Sequence, residues 1–173
     1  MKNELIELLK TRRSIRSFTD REIEPEKLRQ IAEAAVYAPS AMNRQSWHFA
    51  VICGREKLDR LAAVVRVACG RDEGYNFYRP AAMIIASNER DFRMGVDDCA
   101  CALQNIFLAA HALGVGSVWI NQIRDVCDVP EVRAVLTEFG VPENQVVYGS
   151  AALGYAANPP KPAEKKLGNI SYC

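Results

Sequence analysis

Between Val96 and Leu113 the sequence is apolar on nearly every side of a helix, with Ala100, Leu103, Ile106, Phe107, Ala110 and Leu113 at core spacing and Gly114 to end it. A helix without a polar face cannot lie on a surface. It has to be wrapped by other elements, and a chain of 173 residues that is 49% apolar supplies enough of them for one domain, residues 1–173, with a sizeable core. His48–Cys53 (HFAVIC) and 81–86 (AAMIIA) read as buried strands, 117–120 as a third, and 145–155 as a fourth that Gly149 and Gly154 interrupt. Helical spacing predicts shorter helices over 5–9, over 25–36 behind Pro25, over 56–68 ahead of Gly70, and over 130–139 ahead of Gly140. Residues 71–79 form a polar loop. Strands separated by helices predict α+β or α/β layering, the central helix against the sheet. Over 156–173, Pro159, Pro160, Pro162 and three lysines replace apolar periodicity, which predicts an extended tail running over a surface, its own or a partner's.

Charge narrows the partners. Lys+Arg of 22 against Asp+Glu of 21 gives a formal net charge of +1, without the basic field that nucleic-acid binding requires. No apolar run reaches the roughly 20 residues of a membrane span, and the first residues lead into an amphipathic stretch, so a soluble, cytoplasmic protein is expected. Six cysteines are expected to stay reduced. Cys99 and Cys101, two apart on a helix, cannot readily share a metal, and no metal site is expected.

Several chemistries lack their residues. Only His48 and His111 are present, G-x-S-x-G is absent, and no paired-His or H-E-x-x-H pattern occurs. There is no P-loop, and Gly114-Val115-Gly116 follows a helix instead of opening one. A catalytic chain so poor in acid, base and nucleophile clusters would rely on an organic cofactor for the hard step.

Three segments and the tail could hold one. Arg12, Arg13 and Arg16, with Ser14 among them, place three permanent cations and a hydroxyl beside a helix end, suited to phosphate oxygens. A solvated basic turn is the competing reading. Ser40, Asn43 and Gln45, within PSAMNRQSW, offer a hydroxyl and two amides able to match a heteroaromatic edge, or simply form a helix-terminating turn anchored by Trp47. At 114–122, small residues allow backbone to approach a flat ligand, and Asn121-Gln122 begins the loop after the strand; an ordinary cap and core strand compete. The tail lysines Lys161, Lys165 and Lys166 could equally be a solvated end.

RRSIRSF at 12–18, APSAMNRQSW at 38–47, DDCACALQNIFLAAHALGVGSVWI at 97–120 and GYAANPPKP at 154–162 together resemble the flavin-dependent nitroreductase family, in the family's order. The resemblance implies an α+β fold with a central, mostly antiparallel sheet flanked by helices. It also implies an intertwined homodimer in which each tail embraces the other chain and FMN sits at the interface. Arg12, Arg13, Ser14 and Arg16 match the segment that holds the phosphate, ribityl chain and pyrimidine edge. Ser40, Asn43 and Gln45 match the stretch contributed by the second subunit. Asn121 and Gln122 match the backbone near flavin N5, the nearest thing to catalytic residues, with no side-chain acid or base. Lys165 or Lys166 stands where a basic tail residue reaches the phosphate, and Asn76 is a further candidate contact.

The implied activity is two-step hydride transfer from NAD(P)H through FMN to a nitroaromatic, quinone or similar small-molecule acceptor. Alternatives are a specialised flavin reaction, such as reductive dehalogenation or flavin or peptide oxidation, and a non-catalytic flavin-binding sensor or sequestration protein. Ser46 replaces the proline often found after the glutamine, and Lys161-Pro162-Ala163 stands where Lys-Pro-Arg is common.

Overall fold

The computed structural model describes residues 3–160 together with 165, 170 and 171. Its elements, in order, are α1 (Glu4–Thr11), α2 (Pro25–Ala35), a 3₁₀ turn (Ala41–Asn43), β1 (His48–Cys53), α3 (Arg55–Ala68), β2 (Ala82–Glu89), α4 (Gly95–Ala112), β3 (Gly116–Ile120), α5 (Gln122–Val126), α6 (Pro130–Glu138) and β4 (Gln145–Gly154). The strands form one sheet in the order β1-β2-β4-β3, every neighbouring pair antiparallel. The fold is α+β, as expected.

Because side chains alternate across a sheet, each central strand feeds two cores. Met83 and Ile85 of β2 join Ile52, Val118 and Ile120 under α3, α5 and α6. Ala82, Ile84 and Ala86 join Ala151 and Leu153 of β4 on the other face, under α2 and α4. With both faces covered, β2 is buried from Ala82 to Asn88, which explains its nearly continuous apolar sequence. Helix α4 packs on the sheet and on α2, with Leu103, Ile106 and Ala110 fully buried, but it is not wrapped on every side: Asp97, Cys101, Gln104 and Ala112 are exposed along one face.

Three further sequence readings are corrected. Gly149 does not end β4, although the register against β2 shifts by one residue beside it, and Gly154 is the strand's last residue. A Cβ on Gly149 would lie 2.8 Å from Leu103 Cδ1 and 2.8 Å from Trp119 Nε1, so the glycine leaves room for those two side chains between α4 and the sheet. β2 continues past Ala86 into Ser87, Asn88 and Glu89, which pair with Val147, Val146 and Gln145 after a bulge, Ser87 Oγ donating to Gln145 Oε1 at 2.7 Å. Finally, Gln122 opens α5 instead of a loop; Ile123 and Val126 bury one side of it, too short a run for periodicity to reveal.

At the end of β4, Tyr155 donates its hydroxyl hydrogen to Glu24 Oε2 and accepts from Lys27 Nζ at 3.0 Å, while Arg21 also pairs with Glu24. These contacts, the Tyr155 hydroxyl foremost, hold the Glu24 carboxyl down to about 2 from an ordinary 4.5. Stability from a depressed carboxylate is complete above its unfolded pKa and disappears as pH falls through the folded one. The urea midpoints of wild type and Glu24→Gln are therefore expected to differ at pH 6 and converge toward pH 2.5. A gap independent of pH counts against this linkage.

Candidate functional site

The cationic segment is laid along the sheet edge by its own backbone. Asn3 caps α1 by accepting from Leu5 N at 3.0 Å, and the chain leaves the helix at Arg12 with extended ψ of 136°. Ile15 N donates to Ser117 O at 2.9 Å, making a parallel bridge at Ser14 and Ser117. The buried Ile15 side chain occupies space above Gly116, where a Cβ would come within 2.9 Å of Ile15 Cγ1. Thr19 N then donates to Tyr155 O and Ala157 N to Ser17 O. With Ile15 turned inward, Ser14 and Arg16 are exposed and Arg12 and Arg13 half-buried.

Arg21, Arg29, Arg44, Arg55, Arg60, Arg90 and Arg133 pair with carboxylates. Among the described residues no salt bridge forms with Arg12, Arg13 or Arg16, nor with Arg66, Arg71, Arg79, Arg93 or Arg124; what distinguishes the first three is that they lie within five residues of one another. Arg13 Nη1 donates to the carbonyls of Lys10 and Arg12, at 2.9 and 2.8 Å, closing the end of α1. Thr11 Oγ1 lies 2.9 Å from His111 Nε2 near the end of α4. Burial, reinforced by Arg12 and Arg13, lowers the His111 pKa below its ordinary value. Uncompensated positive charge therefore gathers here.

Beyond the other end of β3 lies a cleft of about 490 Å³, walled by Arg71, Tyr75 and Asn76 on one side and Trp119, Asn121 and Gln122 on the other. Asn121 Oδ1 accepts from Trp119 Nε1 at 2.6 Å, and Gln122 O accepts from Cys69 Sγ at 3.8 Å. The facing loop is held by Phe77, 2% exposed, whose ring meets that of Tyr75 at 5.2 Å between centroids. Phe77, Tyr78 and Arg79 are all left-handed, with φ of 54°, 67° and 52°, a conformation costing roughly 1–2 kcal/mol per residue. From Ser117, beside the arginine segment, to Asn121 is four residues of extended chain, about 13 Å.

Ser40, Asn43 and Gln45 come together, but elsewhere. Ser40 Oγ accepts from Gln45 N at 3.2 Å, and Gln45 Nε2 donates to Asn43 Oδ1 at 2.8 Å. Ala41 N donates to Asp98 Oδ1 at 2.9 Å in the first turn of α4, whereas Thr11 meets His111 in its last. Thirteen residues of helix separate those anchors, about 20 Å. Within one chain the amide cluster and the arginine segment thus occupy opposite ends of α4. Lys165 is exposed; Lys161 and Lys166 lie outside the described residues.

Sequence reasoning overlooked Trp119 as the partner of Asn121, the Tyr75–Phe77 wall, and Asp98. The last left a faint signal, one of two adjacent carboxylates opening a largely apolar helix. Among the described residues no group of three or more potential metal ligands occurs, and no helix is long and apolar enough to cross a membrane.

Comparison with solved structures assigns the class. The chain is similar to a nitroreductase with bound FMN from Bacteroides fragilis, at 39% identity over 99% of this chain and 100% of that one, with a TM-score of 0.93. It is also similar to an FMN-bound nitroreductase from Desulfitobacterium hafniense, at 27% identity over the whole of both chains and a TM-score of 0.90. A curated relative from Archaeoglobus fulgidus, carrying an NADH dehydrogenase/NAD(P)H nitroreductase name, is 36% identical over 88% of this chain and 85% of its own length. The class is that of the oxidoreductase enzymes. The family model described as Nitroreductase family matches residues 9–155, and the chain belongs to that family.

Proposed function

We propose that this chain is an FMN-dependent NAD(P)H oxidoreductase acting on nitroaromatic, quinone or similar acceptors, with its cofactor held between two copies. The observation that carries the reading is the strap of cations lacking carboxylate partners among the described residues, leading along β3 to an open cleft. The donor set fits FMN: guanidinium groups suit a phosphate dianion, and about 490 Å³ falls within the roughly 300–1,000 Å³ typical of cofactor pockets. In this reading Arg12, Arg13, Ser14 and Arg16 bind the phosphate, ribityl chain and ring edge. Asn121 and Gln122 present backbone toward N5, and Ser40, Asn43 and Gln45 approach from the second subunit. Lys165 or Lys166 adds to the phosphate site. When bound, FMN supplies hydride acceptance from NAD(P)H and its delivery to the acceptor.

The chain's own task is to bind, orient and exclude water, consistent with the absence of a strong acid–base pair. A second copy is supported by α1, which buries no residue and leaves Leu5 62% and Leu9 44% exposed, and by Tyr37 and Met42, 84% and 83% exposed. The tail beyond Ala156 would wrap the partner.

The purified protein is expected to be yellow, to elute at twice the chain mass, to be bleached by NADH or NADPH, and to oxidise either with nitrofurazone or menadione. Colourless protein that stays so after FMN is added overturns the reading. Bleaching without turnover of either acceptor favours a specialised acceptor instead.

His111 offers an independent check. An anion beside Arg12 and Arg13 offsets the positive charge that helps hold its pKa down, so FMN is expected to raise the imidazole pKa seen by NMR and to bind more tightly as pH falls. An unchanged His111 titration on FMN saturation argues that the phosphate is bound elsewhere.

A further inference from the structure

We propose that Asp98 is a positioning residue for the flavin: with Asn88 and Gln145 it clamps the loop at 41–46 in the strained shape that carries Asn43 and Gln45 outward. This inference rests on the proposal that Asn43 and Gln45 meet the cofactor across the dimer.

The loop is tied at both ends to buried polar groups, and in its middle the Arg44 side chain pairs with Glu89 and lies over the Phe92 ring at 4.6 Å. At its start Ala41 N donates to Asp98 Oδ1 at 2.9 Å, and Asp98 is only 4% exposed. At its end Ser46 Oγ donates to Asn88 Oδ1 at 2.8 Å, and Gln145 Nε2 donates to Ser46 O at 3.0 Å. Asn88 is fully buried and Gln145 nearly so. Between these anchors Met42, Asn43 and Gln45 adopt left-handed φ of 55°, 53° and 50°, and the side chains from Met42 to Gln45 are exposed. Asparagine tolerates that region; methionine and glutamine do not favour it. Three such residues in an exposed loop persist only when the surroundings over-determine them.

The choice of a carboxylate is informative. Holding one backbone N–H needs only a neutral acceptor, yet here a charge is buried, and its second oxygen has no partner among the described residues. The Nδ2 of Asn88 is likewise buried and unpartnered. Placement in the first turn of α4 offsets part of the penalty, since the helix N-terminus favours negative charge. A charged acceptor grips the Ala41 N–H harder than a neutral one would. The tension of the loop is thus opposed by the strongest hydrogen bond available at that site. Asp98 touches no cofactor in this scheme; it acts through the loop.

The test is a double-mutant cycle on FMN dissociation constants in the dimeric holoprotein, with thermal midpoints of the FMN-free forms measured alongside. Asp98→Ala is expected to weaken FMN binding about tenfold, and Asp98→Asn, which keeps only a neutral and weaker acceptor for Ala41 N, to restore part of it. Asn43→Ala is expected to weaken binding in the wild-type background and to have much less effect once Asp98 is alanine. Should Asp98→Ala fail to fold, Ser46→Ala combined with Gln145→Ala, which removes the bond to Asn88 and the bond from Gln145 to the Ser46 carbonyl, releases the other anchor and takes its place in the cycle. Additive effects of the two substitutions overturn the clamp, as does wild-type affinity in Asp98→Ala or, in that fallback, in the Ser46→Ala, Gln145→Ala variant. If Asn43→Ala alone binds FMN normally, the cross-dimer contact itself is wrong and the clamp falls with it. Weakening by Asn43→Ala but not by the anchor variants refutes the clamp alone.

Discussion

Arg12→Ala is expected to bind FMN about 1.5–3 kcal/mol more weakly than wild type, the range of a charge-assisted hydrogen bond, or roughly a 10- to 150-fold rise in Kd. Unlike seven other arginines of this surface, Arg12 has no salt bridge among the described residues, so removing it breaks no ion pair there. The FMN-free thermal midpoint should change little. Lysine at the same position should recover only part of the affinity, because an ammonium cannot reproduce the planar fork that grips two phosphate oxygens. Arg13→Ala should behave differently, since its Nη1 donates to the carbonyls of Lys10 and Arg12 and its loss frays the end of α1. Quenching of flavin fluorescence measures these affinities. Wild-type Kd in both Arg12→Ala and Arg16→Ala would remove the phosphate site from this segment.

Leu103→Ala is expected to lose about 2–5 kcal/mol of stability, read from urea unfolding of the FMN-free protein. Leu103 is fully buried on α4, and its Cδ1 sits where Gly149 of β4 has no side chain. Truncation leaves a void between the central helix and the longest strand, where neither can collapse without dragging the sheet. The converse change, Gly149→Ala, should cost about 1–3 kcal/mol by overpacking against Leu103 and Trp119. Combined, the two should cost less than the sum of their separate losses, because the new methyl enters part of the space the leucine vacates. Strict additivity would mean that the two sites do not share that space. The contact matters to the site because Trp119, which also presses on Gly149, holds the amide of Asn121 at the cleft.

Much of the architecture was legible locally. His48–Cys53 was read to the residue, Pro25 marks the start of α2, and the apolar character of α4 required burial against the sheet. The candidate segments stood out by residue type, as clustered guanidinium groups and paired amides between regular elements. Missed features share a cause. Ser87 and Asn88 are polar and fall outside the strand read over 81–86, yet they are buried in β2, where Val147 and Val146 pair with them and Gln145 satisfies the Ser87 hydroxyl. Residues 71–79 read as a plain polar loop, yet Phe77 is sunk in the core and the backbone turns left-handed to form a wall of the cleft.

The sequence by itself determined most of the helices and strands, α5 and the end of β2 excepted, and which segments cluster guanidinium groups or amides, because periodicity, caps and composition act over neighbouring residues. Only the tertiary structure decided that the arginine segment lies on β3, through Ile15 over Gly116, and that the amide cluster hangs from the opposite end of α4, through Ala41 and Asp98. Those arrangements depend on contacts between residues far apart in the chain. Nothing in either partner's local sequence encodes the distance to the other.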